Sequence, residues 1–404
     1  MSSVHESHRF TEQGTRKVTD PAEIPRFSEQ DTRHVFEVVL TGGPCAGKTT
    51  AMAILTQKLS DYGYKVLVCP ETATLVINAG IDVRVTSSSA RRFFEIQRQV
   101  VRTQRALRQR FREFAALYEE PVVILFDRGE MDNAAYIDAD LFTALLEEEN
   151  LTLYDVRDSY NVVLHLVSAA DGAEHAYTTT NNAARSETPE QARELDAKTL
   201  TAWVGHPRLR IIDNSTDFDT KMNRVLRAVT QLLGTPAPLE IERKFLLATS
   251  PDIDLLQRKY GARAVDIEQT YLLSSTPDVE LRVRQRSQGS QSSYYRTEKI
   301  AVASGRRYER ERTLTPVEYQ YLLTSRDPQR HTIQKTRYCF PYLGLYFELD
   351  HIHAPIDMWV LEVELTEEST QVHVPDEIVV DREVTNEPAF KNAEIARGVP
   401  LSRA

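Results

Sequence analysis

A glycine-rich stretch near residue 45 has the residue types and the spacing of a phosphate-binding loop. Gly42 and Gly47 enclose four residues, and Lys48 and Thr49 follow. Glycines let backbone N–H groups curl round an anion, and a following helix adds its partial positive charge. Lys48 would reach the β- and γ-phosphates of a nucleotide, and the Thr49 hydroxyl would bind Mg²⁺. The predicted nucleotide-binding residues of this loop are Gly42, Gly43, Pro44, Cys45, Ala46, Gly47, Lys48, Thr49 and Thr50.

Two carboxylates follow predicted strands that would end at the same sheet edge as this loop. Asp127 ends the apolar run "VVILFD", and Glu71 follows the run "KVLVC". The strand-end position of Asp127 favours a Mg²⁺ ligand over a residue that caps the next turn. Glu71 could orient an acceptor hydroxyl or a water molecule, and it could equally cap the following helix. Both are candidate catalytic residues.

Two further polar residues are candidates for nucleotide binding. The long polar stretch 168–189 suits a lid that brings Arg185 toward the phosphates, with a plain surface loop as the alternative. Asn214 stands at the end of the last predicted strand of this region, in "IIDNS", where it could lie near the base. The sequence shows no motif that distinguishes guanine from adenine.

Charged residues alternate along most strand-like runs of the second half. Glu240, Glu242 and Lys244 are two residues apart in "EIERKFL", so a strand would place them on one face. Clustered basic residues suit phosphate oxygens, and carboxylate pairs suit Mg²⁺ or Mn²⁺. The candidate phosphate ligands are Lys244, Arg282, Arg284, Lys299, Arg310, Arg312, Lys335 and Arg337, with Arg286 and Glu348 in the same runs; the candidate metal ligands are Glu240, Glu242, Glu362 and Glu364, beside Thr49 and Asp127 of the first region.

The alternation leaves two arrangements open. In one, the charged face lines the inside of a barrel, which must then be wet, because a dry core with so many charges would cost more than their pairing returns. In the other, the charges lie outside as cross-strand ion pairs over an ordinary apolar interior. Residue alternation alone does not decide between them.

The chain-wide totals limit the class of protein. A length of 404 residues favours two domains, and a net charge of −10 argues against a nucleic-acid partner. Three scattered cysteines fit a reducing compartment, and no apolar run is long enough to cross a bilayer. We therefore expect a cytoplasmic protein.

The order of predicted elements divides the chain into two domains. Residues 1–33 are predicted as a flexible arm, 34–233 as a nucleotide-binding domain, 234–238 as a linker and 239–404 as a β-rich domain. Apolar strands that alternate with helices predict a parallel sheet with helices on both faces. The second half has eight strand-like runs, which predict an eight-stranded antiparallel tunnel or barrel of α+β class.

Both halves resemble known families. The loop, the sheet and "LFDRG" resemble the kinase-like, AAA-type P-loop family that includes ribosylnicotinamide kinase domains. "EIERKFL" resembles the ExExK signature of the CYTH, or triphosphate tunnel metalloenzyme, superfamily, and "LRVR", "TEK", "QKTR", "ELD" and "LEVEL" follow in that family's strand order. This second resemblance implies that the charges line a tunnel, with phosphates on the basic residues and metal on the glutamates.

The two domains in this order are similar to the family of TRPL translocation defect proteins of animals. That resemblance implies a regulatory protein that binds GTP, or ATP, with Mg²⁺ or Mn²⁺. It also implies a second ligand, such as a phosphoinositide, an inositol phosphate or a polyphosphate, and a role in membrane trafficking with peripheral membrane contact. The alternatives are a metal-dependent triphosphatase or polyphosphatase in the tunnel domain and a small-molecule kinase in the P-loop domain.

Overall fold

The structure of the protein is a computed structural model. It describes residues 35–83, 90–173, 188–233, 241–274, 276, 279–289, 291–302, 306–365 and 370–398. The predicted arm, the predicted linker, Arg185 and Glu240 lie outside these ranges.

Five parallel strands form the sheet of the first half, in the order β2-β3-β1-β4-β5. The strands predicted from the apolar runs are all present. They are β1 (Val35–Thr41), β2 (Lys65–Cys69), β3 (Val122–Asp127), β4 (Val162–Leu166) and β5 (Leu209–Ile212).

Helices cover both faces of this sheet, as the apolar strands predict. Val39 packs in one cluster with Trp203, and Leu40 packs on the other face with Leu55 and Val229. The doubly covered α/β arrangement is therefore confirmed. The helices are α1 (Lys48–Asp61), α2 (Thr72–Asn78), α3 (Ala90–Ala115), α4 (Ala139–Glu148), α5 (Pro189–Trp203) and α6 (Phe218–Leu233), with a short 3₁₀ helix at Glu130–Ala135 and a π-helical turn at Tyr154–Asp158.

The second half forms one antiparallel sheet of nine strands, in the order β10-β9-β8-β7-β11-β12-β13-β6-β14. The eight predicted strands are all present, and the additional strand is the short β14, which pairs with β6. The strands are β6 (Ile241–Leu247), β7 (Arg263–Leu272), β8 (Val279–Gln288), β9 (Gln291–Val302), β10 (Arg306–Leu314), β11 (Ile333–Tyr342), β12 (Leu345–Ala354), β13 (Met358–Leu365) and β14 (Val380–Glu383); the helices are α7 (Ile253–Tyr260), α8 (Pro316–Leu323) and α9 (Asn392–Ile395), with a 3₁₀ turn at Pro388–Phe390.

The apolar residues of β6, β12 and β13 form a buried core on one face of the nine-stranded sheet, its outer face. Phe245, Leu349 and Leu361 pack there with Leu256 of α7 and with Ile378. Because side chains alternate along a strand, the opposite face receives the charged residues of the same strands. Helix α7 and the segment before β14 thus cover the apolar face of the sheet.

No helix among the described residues is both long enough and apolar enough to cross a lipid bilayer.

A buried ion-pair cluster fixes α3 to the first strand. The Glu37 carboxylate accepts hydrogen bonds from Arg108, at 2.7 Å, and from Arg112, at 2.6 Å. Glu37 and Arg108 are both buried. Burial alone would raise the pKa of Glu37, but the two guanidiniums outweigh it and lower the pKa from 4.5 to about 2. The cluster therefore contributes its full stabilisation above pH 4.5 and loses it as the pH falls toward 2.

We expect Glu37→Ala to lower the free energy of unfolding by about 3–5 kcal/mol, because it leaves the Arg108 charge buried without its partner. Glu113→Ala is the matched control: Glu113 pairs with Arg110 on the exposed side of the same helix, where ion pairs contribute about 0–1 kcal/mol. Urea unfolding at pH 7 measures both. Equal losses in the two variants would contradict a structural role for the cluster.

Candidate functional site

The phosphate-binding loop joins β1 to α1 with the backbone that the glycine spacing predicts. Gly42 and Gly47 have φ angles of 129° and 89°, which favour glycine. A Cβ atom on Gly42 would lie 2.0 Å from the carbonyl oxygen of Leu166, so no other residue fits. The first helical turn presents the exposed side chains of Thr49 and Thr50.

The Lys48 ammonium lies inside the loop. It donates to the carbonyl oxygens of Gly42, at 2.7 Å, and Gly43, at 2.8 Å. Burial, with the nearby Arg128 charge, lowers its pKa from 10.5 to about 8, although Asp127 and Glu71 act in the opposite direction. These carboxylates therefore lie close enough to Lys48 to act on its charge. The Lys48 ammonium thus lies at the centre of the loop, where its charge would attract a bound anion.

Arg128 links Glu71, one of the two predicted catalytic carboxylates, to Asp132 of the short 3₁₀ helix. Its guanidinium donates to Glu71, at 2.7 Å, and to Asp132, at 3.3 Å. Its backbone φ angle of 68° is unusual for a residue with a side chain, and such strain is typical of functional sites. Burial raises the pKa of Glu71, but Arg128, Thr74 and Lys48 together outweigh it, so the net shift is downward. Burial raises the pKa of Asp127.

Asp196 and His165 also lie at the loop, and the sequence analysis does not identify them. The Gly43 N–H donates to the Asp196 carboxylate at 2.5 Å, and His165 Nε2 lies 3.3 Å from the other oxygen of that carboxylate. Both residues are buried. Asp196 is 153 residues from Gly43, in the middle of α5, so no local pattern could have found it. Arg128, in contrast, directly follows the predicted Asp127.

Asn214 holds the segment 168–171, which lies against the phosphate-binding loop. Its amide donates to the carbonyl oxygens of Ser168, at 2.8 Å, and Asp171, at 2.6 Å. The same segment contacts the loop through the Ala169 N–H, which donates to the Cys45 carbonyl at 3.3 Å. A contact between Asn214 and a base stays a prediction.

The second site is a connected cluster of charges on the inner face of the nine-stranded sheet. Arg337 donates to Asp350 at 2.6 Å and to Glu362 at 2.8 Å, and it also contacts Glu348. Lys335 contacts the same Asp350. These side chains contact one another and are shielded from solvent. The residues that alternate with them along the strands therefore form the outer, apolar face. The charged-inside arrangement is the one that the structure has.

Lys244 and the predicted metal glutamates extend this cluster. The Lys244 ammonium lies 2.8 Å from Glu362 and 3.4 Å from Glu242. Glu364 stands directly opposite Glu242 in the pairing of β13 with β6. Burial would raise the pKa of Glu362, but Lys244, Lys335 and Arg337 outweigh it and lower the pKa well below its usual range. Glu362 is therefore ionised and held by cations at neutral pH.

The arginines of β8 lie on the same face but in different surroundings. Arg284 donates to Gln269 at 3.2 Å, and its Nε is buried with no hydrogen-bond partner. Burial and the adjacent Arg282 charge lower the pKa of Arg284 from 12.5 to about 10. The register places Lys299 opposite Glu280 and Thr297 opposite Arg282 on this face. This part of the face is an electropositive surface with a hydrogen-bond donor that protein groups leave unused.

The prediction for Arg312 is wrong, and the register explains why. Thr297 is opposite Glu311, so Glu311 shares the face of Arg282. Arg312 points to the other face and pairs with Glu318 of α8 at 3.1 Å. The run "RYERER" alternates arginine with glutamate, so a shift of one residue in the strand pairing would exchange the arginines and the glutamates between the two faces of the sheet. Arg310 is opposite Glu298 in the register, and its side chain is outside the described part of the structure.

The carboxylates predicted to bind metal lie in different surroundings. No group of three or more histidine, cysteine, aspartate or glutamate side chains in the described ranges is arranged to hold a metal ion. Glu242 and Glu364 are adjacent and each lies beside one cation, Lys244 and Arg210 respectively. Glu362 is bound to two cationic side chains. A divalent cation at the adjacent pair would therefore need oxygen atoms from its ligand to complete its coordination.

The first half of the chain matches a known family. Residues 37–221 match the family model of an AAA domain. This match supports the predicted P-loop, nucleotide-binding domain at that level. The matched residues include the phosphate-binding loop, Glu71, Arg128 and Asp196. No curated protein matches the chain, so the resemblance to the TRPL translocation defect family stays a prediction.

Solved structures are also similar to the chain. The inorganic triphosphatase NE1496 is 29% identical over 41% of this chain and 98% of its own, with a TM-score of 0.30. A second structure of NE1496 is 31% identical over 40% of this chain and 99% of its own, with a TM-score of 0.28. The PH1819 protein of Pyrococcus horikoshii OT3 is 19% identical over 32% of this chain and 80% of its own, with a TM-score of 0.26.

We expect Arg284→Met to leave the free energy of unfolding unchanged or to raise it by about 1 kcal/mol, because a buried charge with an unused donor is costly. Arg337→Met should instead lower it by about 3–5 kcal/mol, since three carboxylates lose their shared partner. Urea unfolding without added phosphate compares the variants. Large destabilisation by Arg284→Met would show that Arg284 has a structural partner.

Proposed function

We propose that the chain binds two phosphate-containing ligands, a nucleoside triphosphate at the AAA domain and a triphosphate or longer polyphosphate on the charged face of the second sheet. At the first site the loop backbone would hold the phosphates, and Lys48 would transfer its hydrogen bonds from the carbonyls of Gly42 and Gly43 to phosphate oxygens. Thr49 and Asp127 would hold Mg²⁺, which neutralises phosphate charge when bound.

The single observation that supports the second site best is the unused, electropositive surface at Arg284. Its Nε donor is buried without a partner, and burial, together with neighbouring guanidinium charges, lowers its pKa to about 10. A polyanion would supply both the missing acceptor and the missing negative charge. The carboxylates at Glu242 and Glu364 lie on the same face, so a divalent cation bound with the polyphosphate has oxygen ligands there.

Hydrolysis is the second candidate at this sheet. The adjacent Glu242 and Glu364 could hold a divalent cation that, when bound, activates water. Basic residues on the same face would hold the phosphates in place. A kinase reaction at the first site is supported by the proximity of Glu71, Asp127 and Lys48, with Glu71 positioning the acceptor hydroxyl.

The finer predictions follow from the family resemblances. The proposal therefore includes GTP as the preferred nucleotide, a phosphoinositide headgroup as the second ligand, and a role in trafficking at membranes. A headgroup with several phosphates presents the same oxygen chemistry as tripolyphosphate to Arg282 and Arg284. Lipid vesicles with and without phosphoinositide therefore separate a membrane-bound ligand from a free polyphosphate.

We expect Lys48→Ala to weaken Mg-GTP and Mg-ATP binding at least about tenfold, because a charge-assisted hydrogen bond to phosphate is lost. Lys58→Ala is the control, since Lys58 is exposed in the last turn of the same helix. Calorimetric titration measures both nucleotides. Unchanged binding to Lys48→Ala would refute the nucleotide site.

We expect Arg284→Met to weaken tripolyphosphate binding at least about tenfold, and Arg312→Met to leave it unchanged, because Arg312 lies on the outer face. Calorimetry in Mg²⁺ measures affinity, and phosphate release tests for turnover. Equal losses in the two variants would contradict the assigned face. Binding without phosphate release would exclude the hydrolase alternative and leave the binding site intact.

A further inference from the structure

The first half of the chain closes on one end of the charged face. The Arg286 guanidinium donates to the Gly205 carbonyl at 2.9 Å, and the Gly205 N–H donates to the Tyr346 hydroxyl at 2.9 Å. Arg157 also donates to Gln288 at 2.9 Å. Cys339 and Tyr346 of the second sheet pack in the same cluster as Trp203. The segment between α5 and β5 is therefore a wall of the space beside the charged face.

Two arginines at the end of this segment and in the following strand β5 reach the charged face. Arg208 lies 3.1 Å from Glu311, and Arg210 of β5 contacts Glu364. Both carboxylates belong to the inner face: Glu364 is opposite Glu242, and Glu311 shares the face of Arg282 through Thr297. Glu311 is also close enough to Arg284 to act on its charge. The first half thus adds two cations beside the proposed polyphosphate site.

These ion pairs differ from the contacts that hold the interface together. The apolar packing and the backbone hydrogen bonds at Gly205 join the two halves without them. The side chains of Arg208 and Glu364 are 25% and 35% exposed, whereas those of Glu311 and Arg210 are 9% and 16% exposed, so water and a small anion can reach one side of each pair. Ion pairs that are open to water on one side hold their partners less firmly than fully buried pairs do. An arginine in such a pair can exchange a carboxylate for a phosphate, which matches its geometry and has a larger charge.

We propose that Arg208 and Arg210 are ligands of the polyphosphate site, so that this site is built from both halves of the chain. The proposal rests on the proposed function of the second sheet. The arginines would bind the end of a phosphate chain that extends from Arg284 toward the first half. Glu311 and Glu364 hold them in place when no polyphosphate is bound.

The test is calorimetric titration of the full chain with tripolyphosphate in Mg²⁺, using Arg208→Met/Arg210→Met, the charge-keeping Arg208→Lys/Arg210→Lys, and Arg243→Met. Arg243 is the control because it pairs with Glu383 on the outer face of β6. We expect the double Met variant to lose at least about tenfold in affinity and the double Lys variant to recover part of it, since charge is retained without the bidentate geometry. Arg243→Met should match the wild type.

The possible outcomes separate this inference from the proposed function. If the wild type binds tripolyphosphate and the double Met variant binds it equally well or more tightly, the two arginines are not ligands and this inference is wrong while the site itself stands. If the wild type binds no tripolyphosphate, the proposed function of the second sheet fails and the inference falls with it. Mg-ATP binding by the double Met variant, expected at the wild-type level, shows that the first half has kept its fold.

Discussion

The arrangement of the second half depends on the contact between Arg337 and three carboxylates. Asp350 and Glu348 on β12 and Glu362 on β13 all meet this guanidinium. A buried charge in this position is tolerated only with such partners. The cluster decides which face of the sheet is inside, and this choice leaves the alternate residues, such as Leu349 and Leu361, to be covered by α7.

The same face is divided into two electrostatically different regions. Around Arg337 and Lys244 the charges are balanced by carboxylates. Around Arg284 the neighbouring guanidiniums outweigh Glu311, the carboxylate that acts on its charge. The first half adds Arg208 at Glu311 and Arg210 at Glu364. A balanced region suits structure, and an electropositive region with an unused donor suits an anion.

Much of this organisation follows from sequence pattern. The phosphate-binding loop, the parallel strands and the eight antiparallel strands have local signals, because glycine spacing and apolar runs reflect backbone geometry directly. Arg312 shows the limit: where arginine and glutamate alternate, only the pairing register decides which set points inward. Asp196 and Arg210 show another limit. Asp196 contacts Gly43, which lies 153 residues earlier, and Arg210 of the first sheet contacts Glu364 of the second sheet, 154 residues later. No local window contains both partners.

The central claim is that a polyphosphate binds on the inner face of the nine-stranded sheet beside Arg284. The most direct measurement is a crystal structure of the full chain with tripolyphosphate and Mg²⁺. The account predicts phosphate oxygens within hydrogen-bond distance of Arg284, on the face that also bears Glu242 and Glu364. Tripolyphosphate bound solely at the Lys48 loop, or on the outer face of the sheet near Arg312, would contradict it.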